Sequence, residues 1–210
     1  MNPVLRVFQR LPAALTVVAL AGCVAGQSLD TAYAPPAVGR PATDGAAASI
    51  SVQLEVTDDR PFVKSGDKPP HYIGKYRAGF GNPWGVSTPN DEPLASLLAR
   101  DLAADLAALG YQAAPAAPPD RRLEVSIADW NFDGYQNGRI WYELRATVRD
   151  AAGNVIALDT IREETAIKGT FWMGARGGFE REMPKIYAAA IARLVRDNAK
   201  IGNALRGGAP

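Results

Sequence analysis

Histidine and cysteine are almost absent from this chain, which has one of each among its 210 residues. No His–Cys cluster can therefore form a zinc site, and any Ser-His-Asp or Cys-His catalytic set would depend on His71 alone. The sequence also lacks a Gly-x-Ser-x-Gly nucleophile motif and a complete glycine-rich phosphate loop. We therefore predict no catalytic residues and no cofactor, and a hydrolase that uses carboxylates alone is the third interpretation of the chain.

The chain also has no excess of either charge sign and no long apolar run. The chain carries 23 Lys and Arg residues against 22 Asp and Glu residues, a formal net charge of +1. Because no basic block stands out, the sequence predicts no nucleic-acid partner. The apolar run at 11–22 has 12 residues, whereas a helix that spans a bilayer needs about 20. This run is therefore too short to be a transmembrane helix.

The N-terminus instead has the layout of a secretory signal peptide. Arg6 and Arg10 precede the apolar run, and small residues end it directly before Cys23. Removal of residues 1–22 would take away these two basic residues and no acidic ones, leaving 21 basic and 22 acidic residues. An ordinary signal peptide with a thiol at Cys23 is the alternative, but a lone exported thiol would have no disulfide partner.

Leu20, Ala21, Gly22 and Cys23 together resemble the lipobox of bacterial lipoproteins. The resemblance implies that Cys23 becomes the first residue of the mature protein and carries acyl chains such as palmitate. One acyl chain gives only marginal membrane binding, at about 0.8 kcal/mol per buried methylene, so the three-chain anchor that the resemblance implies would be effectively permanent. Valine rather than aspartate at position 24 points to the outer membrane, facing the periplasm, rather than to the inner membrane.

The rest of the chain divides into a tether and one domain. Residues 23–48 are rich in Ala, Gly, Pro, Ser and Thr, which predicts a disordered tether behind the lipidated cysteine. Residues 49–206 hold the periodic segments of one periplasmic domain. These patterns predict strands at 50–57, 123–127, 140–148 and 155–168, and helices at 93–109 and from 180 or 184 to 205.

The order of these segments, β-α-β-β-β-α, predicts a two-layer α+β fold. Its sheet is expected to have four strands, mainly antiparallel, covered by the two helices. For residues 62–92 the sequence predicts a long loop with one short strand at 71–76. Asp101 and Asp105 lie one turn apart on the first helix, and we expect them at the solvated border of its apolar face rather than in an acid–base pair.

Asp129, Asn131 and Asp133 stand at alternate positions before a glycine, as at the opening of a calcium-binding loop. Their oxygens are of the kind that calcium prefers, but the twelfth position of the motif is Ile140, where a bidentate glutamate is required. We therefore predict no metal site here and interpret the segment as a hairpin tip whose Asp and Asn side chains bond their own backbone. Calcium binding is the alternative.

Aromatic residues gather in the predicted loops and give the strongest indication of a binding surface. Beside glycines and amides, such residues suit stacking on sugar rings or docking on a protein. The alternative is that they pack the loops against the ends of the sheet. The candidate binding residues are Trp84, Trp130, Phe132, Tyr135, Phe171 and Trp172.

The layout of the chain resembles the YajG-type bacterial lipoproteins and, more loosely, the auxiliary lipoproteins of envelope transport and assembly systems. The resemblance rests on the lipobox, a strand before Asp-Asp-Arg-Pro at 58–61, and a Leu- and Ala-rich helix that ends in Leu-Gly-Tyr at 109–111. It implies a cell-envelope protein without established catalytic residues. We therefore expect an outer-membrane lipoprotein whose periplasmic domain binds a protein partner, through an edge strand or the aromatic loops. The alternative is a module that binds a glycan such as peptidoglycan.

Overall fold

The computed structural model describes residues 27–28, 50–77, 83–113, 118–170 and 174–207, with only the backbone described at 27–28. This part of the chain folds into one sheet with helices packed on it. The strands are β1 (Gln27–Ser28), β2 (Ser51–Asp58), β3 (Tyr72–Arg77), β4 (Pro83–Ser87), β5 (Gln112–Ala113), β6 (Arg121–Gly134), β7 (Gly138–Asp150) and β8 (Val155–Ile167). The helices are α1 (Pro61–Lys64), α2 (Leu94–Ala108), α3 (Gly174–Leu194) and α4 (Ala199–Leu205).

Strand β6 is the centre of the sheet. It pairs with β7 in antiparallel fashion along one edge, and β7 pairs with β8 in the same way. Its other edge is shared by two parallel strands placed end to end, with β2 on the first half and β3 on the second. Strand β4 is antiparallel to β3, while the two-residue strands β1 and β5 lie parallel to β4 and β2.

The fold is α+β as predicted, but the predicted sheet is wrong. The sheet is mixed rather than mainly antiparallel and has eight strands rather than four, of which two contain only two residues. Three of the additional strands lie outside the segments in which the sequence predicted a strand, while β3 confirms the short strand expected near 71–76. The described part also has four helices rather than two, because the predicted last helix breaks between Leu194 and Ala199 and because the short helix α1 was not predicted.

The core lies between one face of the sheet and the helices. Alternate residues of β6 and β7 point to this covered side, while their neighbours point to the uncovered side, as expected from the period of two in a strand. Leucines of α2 and apolar residues of α3 and α4 complete the core. The molecule therefore has two layers, the sheet and the helices, and the other face of the sheet is polar and uncovered.

Arg60 fixes the place where β2 ends and β3 begins. Its side chain is fully buried and donates to the Asp58 carboxylate through Nε at 2.8 Å and Nη2 at 2.6 Å. It also donates to the backbone carbonyls of Tyr72 and Pro70, at 2.5 and 2.8 Å. A bidentate ion pair with two carbonyl acceptors satisfies the buried charge, and it holds the 59–71 connection against the sheet.

Candidate functional site

Several residues predicted to be functional lie outside the described residues. These are the lipobox residues Leu20, Ala21 and Gly22, the predicted lipid-bearing Cys23, and the aromatic pair Phe171 and Trp172. Their roles stay predictions.

Trp130 and Phe132 belong to the core, which corrects their assignment to a binding loop. Both are about 1% exposed, because the strand β6 continues to Gly134 and its alternate residues face the helices. Trp130 stacks on Tyr142 with ring centroids 5.1 Å apart, and Phe132 contacts Phe179 at 4.5 Å. Neither side chain can reach a ligand at the surface of this fold.

The two other described aromatic candidates, Trp84 and Tyr135, differ in exposure. Trp84 is half-buried and packs edge-on against Tyr76 with ring centroids 6.5 Å apart. Tyr135, at the turn between β6 and β7, is 43% exposed. Of the six candidate aromatic residues, Tyr135 alone is shown to have a largely exposed side chain.

Asp129, Asn131 and Asp133 also belong to β6, so the hairpin tip predicted at 129–134 is wrong and lies instead at 135–137. A strand places alternate side chains in a straight row, roughly 7 Å apart, and such a row does not surround one cation. Asp133 forms ion pairs with Arg77 and Lys75, and Asp129 accepts a hydrogen bond from the indole of Trp141. Among the described residues, no group of three His, Cys, Asp or Glu side chains is placed to hold a metal.

Asp101 and Asp105 are buried between helices, which corrects their predicted place at the solvated border. The hydroxyl of Tyr187 in α3 donates to Asp101 at 3.0 Å, and Arg196 lies 3.5 Å from Asp105. Burial and the neighbouring Asp101 charge raise the pKa of Tyr187 well above its usual value. These groups join α2 to α3 and have no access to a substrate, so we assign them a structural role.

The uncovered sheet face carries charges that largely neutralise one another. Glu143 pairs with Arg145 and Arg162, whose hydrogen bonds lower its pKa. Glu124 pairs with Arg149, with the Arg149 Nε atom 2.9 Å from its carboxylate. Such exposed pairs contribute little to stability, about 0–1 kcal/mol each. They make the face polar but leave no concentrated charge for a ligand.

Asp59 stands at the margin of this face. Hydrogen bonds from Lys64 and Ser126 lower its pKa to about 2, so its carboxylate stays ionised near neutral pH and is already engaged. This side chain is therefore another structural group rather than a candidate acid or base.

A groove lies between α2 and the start of β2. It has a volume of about 540 Å³, within the usual range for ligand sites. One wall is a row of alanines on α2, and the other is the start of β2. The lining residues that the argument uses are Leu54, Ala99, Ala103, Ala107 and Tyr111.

On the edge of β2 that faces this groove, the backbone groups beyond Val52 have no hydrogen-bond partner among the described residues. The carbonyl of Ile50 accepts from the amide of Gln112 in β5, and β5 pairs with β2 only at Ser51 and Val52. Because backbone groups alternate between the two edges of a strand, those of Leu54 and Val56 point to the same edge as those of Ile50. No described residue forms a backbone pair with them there.

Glu55 is the charged group on the uncovered face beside this edge. It is exposed, and no described residue forms an ion pair with it. In the parallel register of β2 and β6, Glu55 lies directly beside Glu124, and like charges in neighbouring strands are destabilising. Arg149 compensates Glu124. Arg145 lines the same cavity as Glu55 but pairs with Glu143, so a further cation beside Glu55 would find a carboxylate that no described residue pairs.

The sequence contained only part of the signal for this groove. Alanines at 99, 103 and 107 are spaced by four residues and predict a small-residue stripe on one helix face. Alternation in 50–57 predicts a strand, but it does not tell which edge of that strand stays unpaired. Locating the groove therefore requires the order of the strands in the sheet.

No family model matches the chain, and no curated protein matches it in sequence. Among solved structures, a Xanthomonas campestris protein of the DUF330 family is 15% identical, with a TM-score of 0.46 over 77% of this chain and 94% of that one. The Neisseria meningitidis lipoprotein GNA1162 is 11% identical, with a TM-score of 0.36 over 69% and 99% of the two chains. A minor lipoprotein of Acinetobacter baumannii is 9% identical, with a TM-score of 0.36 over 70% and 93%.

At these values the likenesses support no inference about the activity of this chain. They do not name the YajG-type family, so that resemblance stays a prediction. None of the helices in the described ranges combines the length and apolar character needed to cross a bilayer.

Proposed function

We propose that this chain is a lipid-anchored protein of the bacterial cell envelope whose folded domain is a non-catalytic protein-binding or assembly module. The observation that carries the proposal is the groove between α2 and the unpaired edge of β2. An exposed strand edge beside a helix suits β-augmentation, in which an extended segment of a partner adds a strand to the sheet. The lipobox-like sequence at 20–23 supports attachment to a membrane, and Val24 supports the outer one.

The experiment places a photo-cross-linking amino acid at Ala103 or at Ala104 of the full-length chain in its native host. Both alanines are exposed on α2, but only Ala103 lines the groove. We expect irradiation to trap one envelope protein from position 103 and not from 104. The same adduct in equal yield from both positions, or no adduct from either position, would contradict a partner in the groove.

Glycan binding is not supported by a specific observation. Two of its six candidate aromatic residues, Trp130 and Phe132, are buried in the core. Trapping of peptidoglycan fragments rather than a protein at position 103 would favour that alternative over ours.

A further inference from the structure

We propose that the groove recognises one extended peptide segment of a partner protein in which small aliphatic side chains alternate with polar ones and a Lys or Arg faces Glu55. This inference rests on the proposed function and names the chemistry of the partner segment. The added strand would continue the line of β5 along β2, because β5 already occupies the first two positions of that edge.

The backbone sets the length and position of the added strand. Residues 53–58 of β2 extend beyond the β5 pairing, and six residues of strand span roughly 20 Å. Within this stretch, no described residue forms a ladder hydrogen bond with the edge-facing backbone groups of Leu54 and Val56. A partner segment of about six residues would therefore satisfy them.

The helix wall sets the size of every second side chain. Side chains of the added strand that point to the covered side would meet Ala99, Ala103 and Ala107, beside Leu54 and Tyr111. Alanine leaves room for a neighbour but offers no polar partner, so this side favours small aliphatic groups such as those of Ala or Val. Arg100 also lines the groove, but it already pairs with Glu92 and Asp101, so a charged residue at these positions would lose its hydration with little compensation.

Glu55 sets the charge on the other side of the added strand. Side chains that point to the uncovered face would stand beside Gln53, Glu55 and Thr57, which are exposed. A cation opposite Glu55 would relieve its repulsion with Glu124, and opposite-charge pairs across strands are favourable. An acidic residue there would add a third negative charge to the row, so the charge of the partner segment is part of the recognition.

A second copy of this chain fits the groove less well than a linear segment. The exposed strand edge of another copy would arrive with its own α2 alongside, because α2 and β2 together form the groove. The α2 helices of the two copies would collide before their β2 edges could pair. An extended segment without a folded domain attached at that point has no such obstacle.

The test uses two fluorescent heptapeptides, Val-Thr-Val-Lys-Val-Thr-Val and the same peptide with Glu in place of Lys, added to the full-length chain in detergent. We expect the Lys peptide to bind about fivefold to tenfold more tightly than the Glu peptide in fluorescence anisotropy, as estimated from cross-strand charge pairs. Glu55→Lys should reverse this preference. Asp67→Lys, which makes the same charge change at an exposed position outside the groove, should leave it unchanged.

Two further variants separate failure of the inference from failure of the proposed function. Ala103→Trp should abolish binding of both peptides, whereas the matched Ala104→Trp should not. Equal binding of the Lys and Glu peptides would overturn the proposed charge recognition. The proposed function would still be supported in that case if Ala103 cross-links to an envelope protein. An Ala103 cross-link to a second copy, or within the chain to residues 29–49 or 114–117, overturns the partner segment as occupant.

Discussion

At the scale of the residue, the contacts of Arg60 join the start and the end of the connection between β2 and β3. Its fully buried guanidinium binds Asp58 and the carbonyls of Tyr72 and Pro70. We expect Arg60→Met to lower the free energy of unfolding by about 3–5 kcal/mol, because it leaves the Asp58 charge and two carbonyls without their donor. Urea denaturation followed by tryptophan fluorescence measures this difference.

A lysine at the same position tests the geometry apart from the charge. Lysine keeps the positive charge but has no planar fork, so Arg60→Lys should recover only a minor part of the lost stability. Arg122→Lys is the matched control, since Arg122 lies on the uncovered face and donates to Gln53. Full stability of Arg60→Lys would show that charge alone matters at this position.

Single residues were also where sequence reasoning failed most clearly. Asp101 and Asp105 read as surface residues because charged groups at the border of an apolar stripe are normally solvated. Their burial depends on Tyr187 in α3 and on Arg196 in the turn after α3, both more than 80 residues further along the chain. No local pattern carries that information.

At the scale of the element, α3 approaches the end of β8 so closely that it needs a glycine. A Cβ at Gly178 would overlap the carbonyl of Lys168 and would lie 2.6 Å from the Ile167 side chain. We expect Gly178→Ala to lower the free energy of unfolding by about 1–3 kcal/mol or more, because backbone cannot move aside as a side chain can. Thermal or urea unfolding measures the loss.

Gly85→Ala serves as its control. A Cβ at Gly85 would meet only the Tyr72 ring, at 3.8 Å, which is an ordinary contact distance. Its stability should stay within about 0.5 kcal/mol of that of the unchanged chain. A loss at Gly178 no larger than that at Gly85 would mean that the helix can shift without cost.

The elements with regular periodicity were predictable, and the others were not. Alternation identified β2 and β7, and the leucine spacing identified α2. The sequence at 129–134 contains Asp, Asn and Gly, which favour turns, but tertiary pairing of β6 with both β3 and β7 extends it as strand. Likewise, the glycines at 174, 177 and 178 do not favour a helix, yet α3 begins at Gly174, and its close contact with the end of β8 requires Gly178.

At the scale of the whole molecule, membrane attachment and recognition are assigned to different parts of the chain. The groove lies within the folded domain, while the proposed anchor lies at Cys23. Gln27 and Ser28, within the predicted tether, pair with β4, so only residues 24–26 separate Cys23 from the sheet, a span of at most about 10 Å when extended. Partner binding should then be independent of the lipid, and the lipid should act by holding the groove near the membrane.

This separation gives the last prediction. We expect Cys23→Ser to block incorporation of a radiolabelled fatty acid and to leave an unprocessed precursor, because serine has no thiol to accept the lipid. The full-length Cys23→Ser chain should still bind the Lys heptapeptide as the unchanged chain does. Fatty-acid labelling, precursor size on a gel and anisotropy measure the three effects. Normal maturation of Cys23→Ser would instead indicate an ordinary signal peptide, and loss of peptide binding would mean that the anchor contributes to the groove.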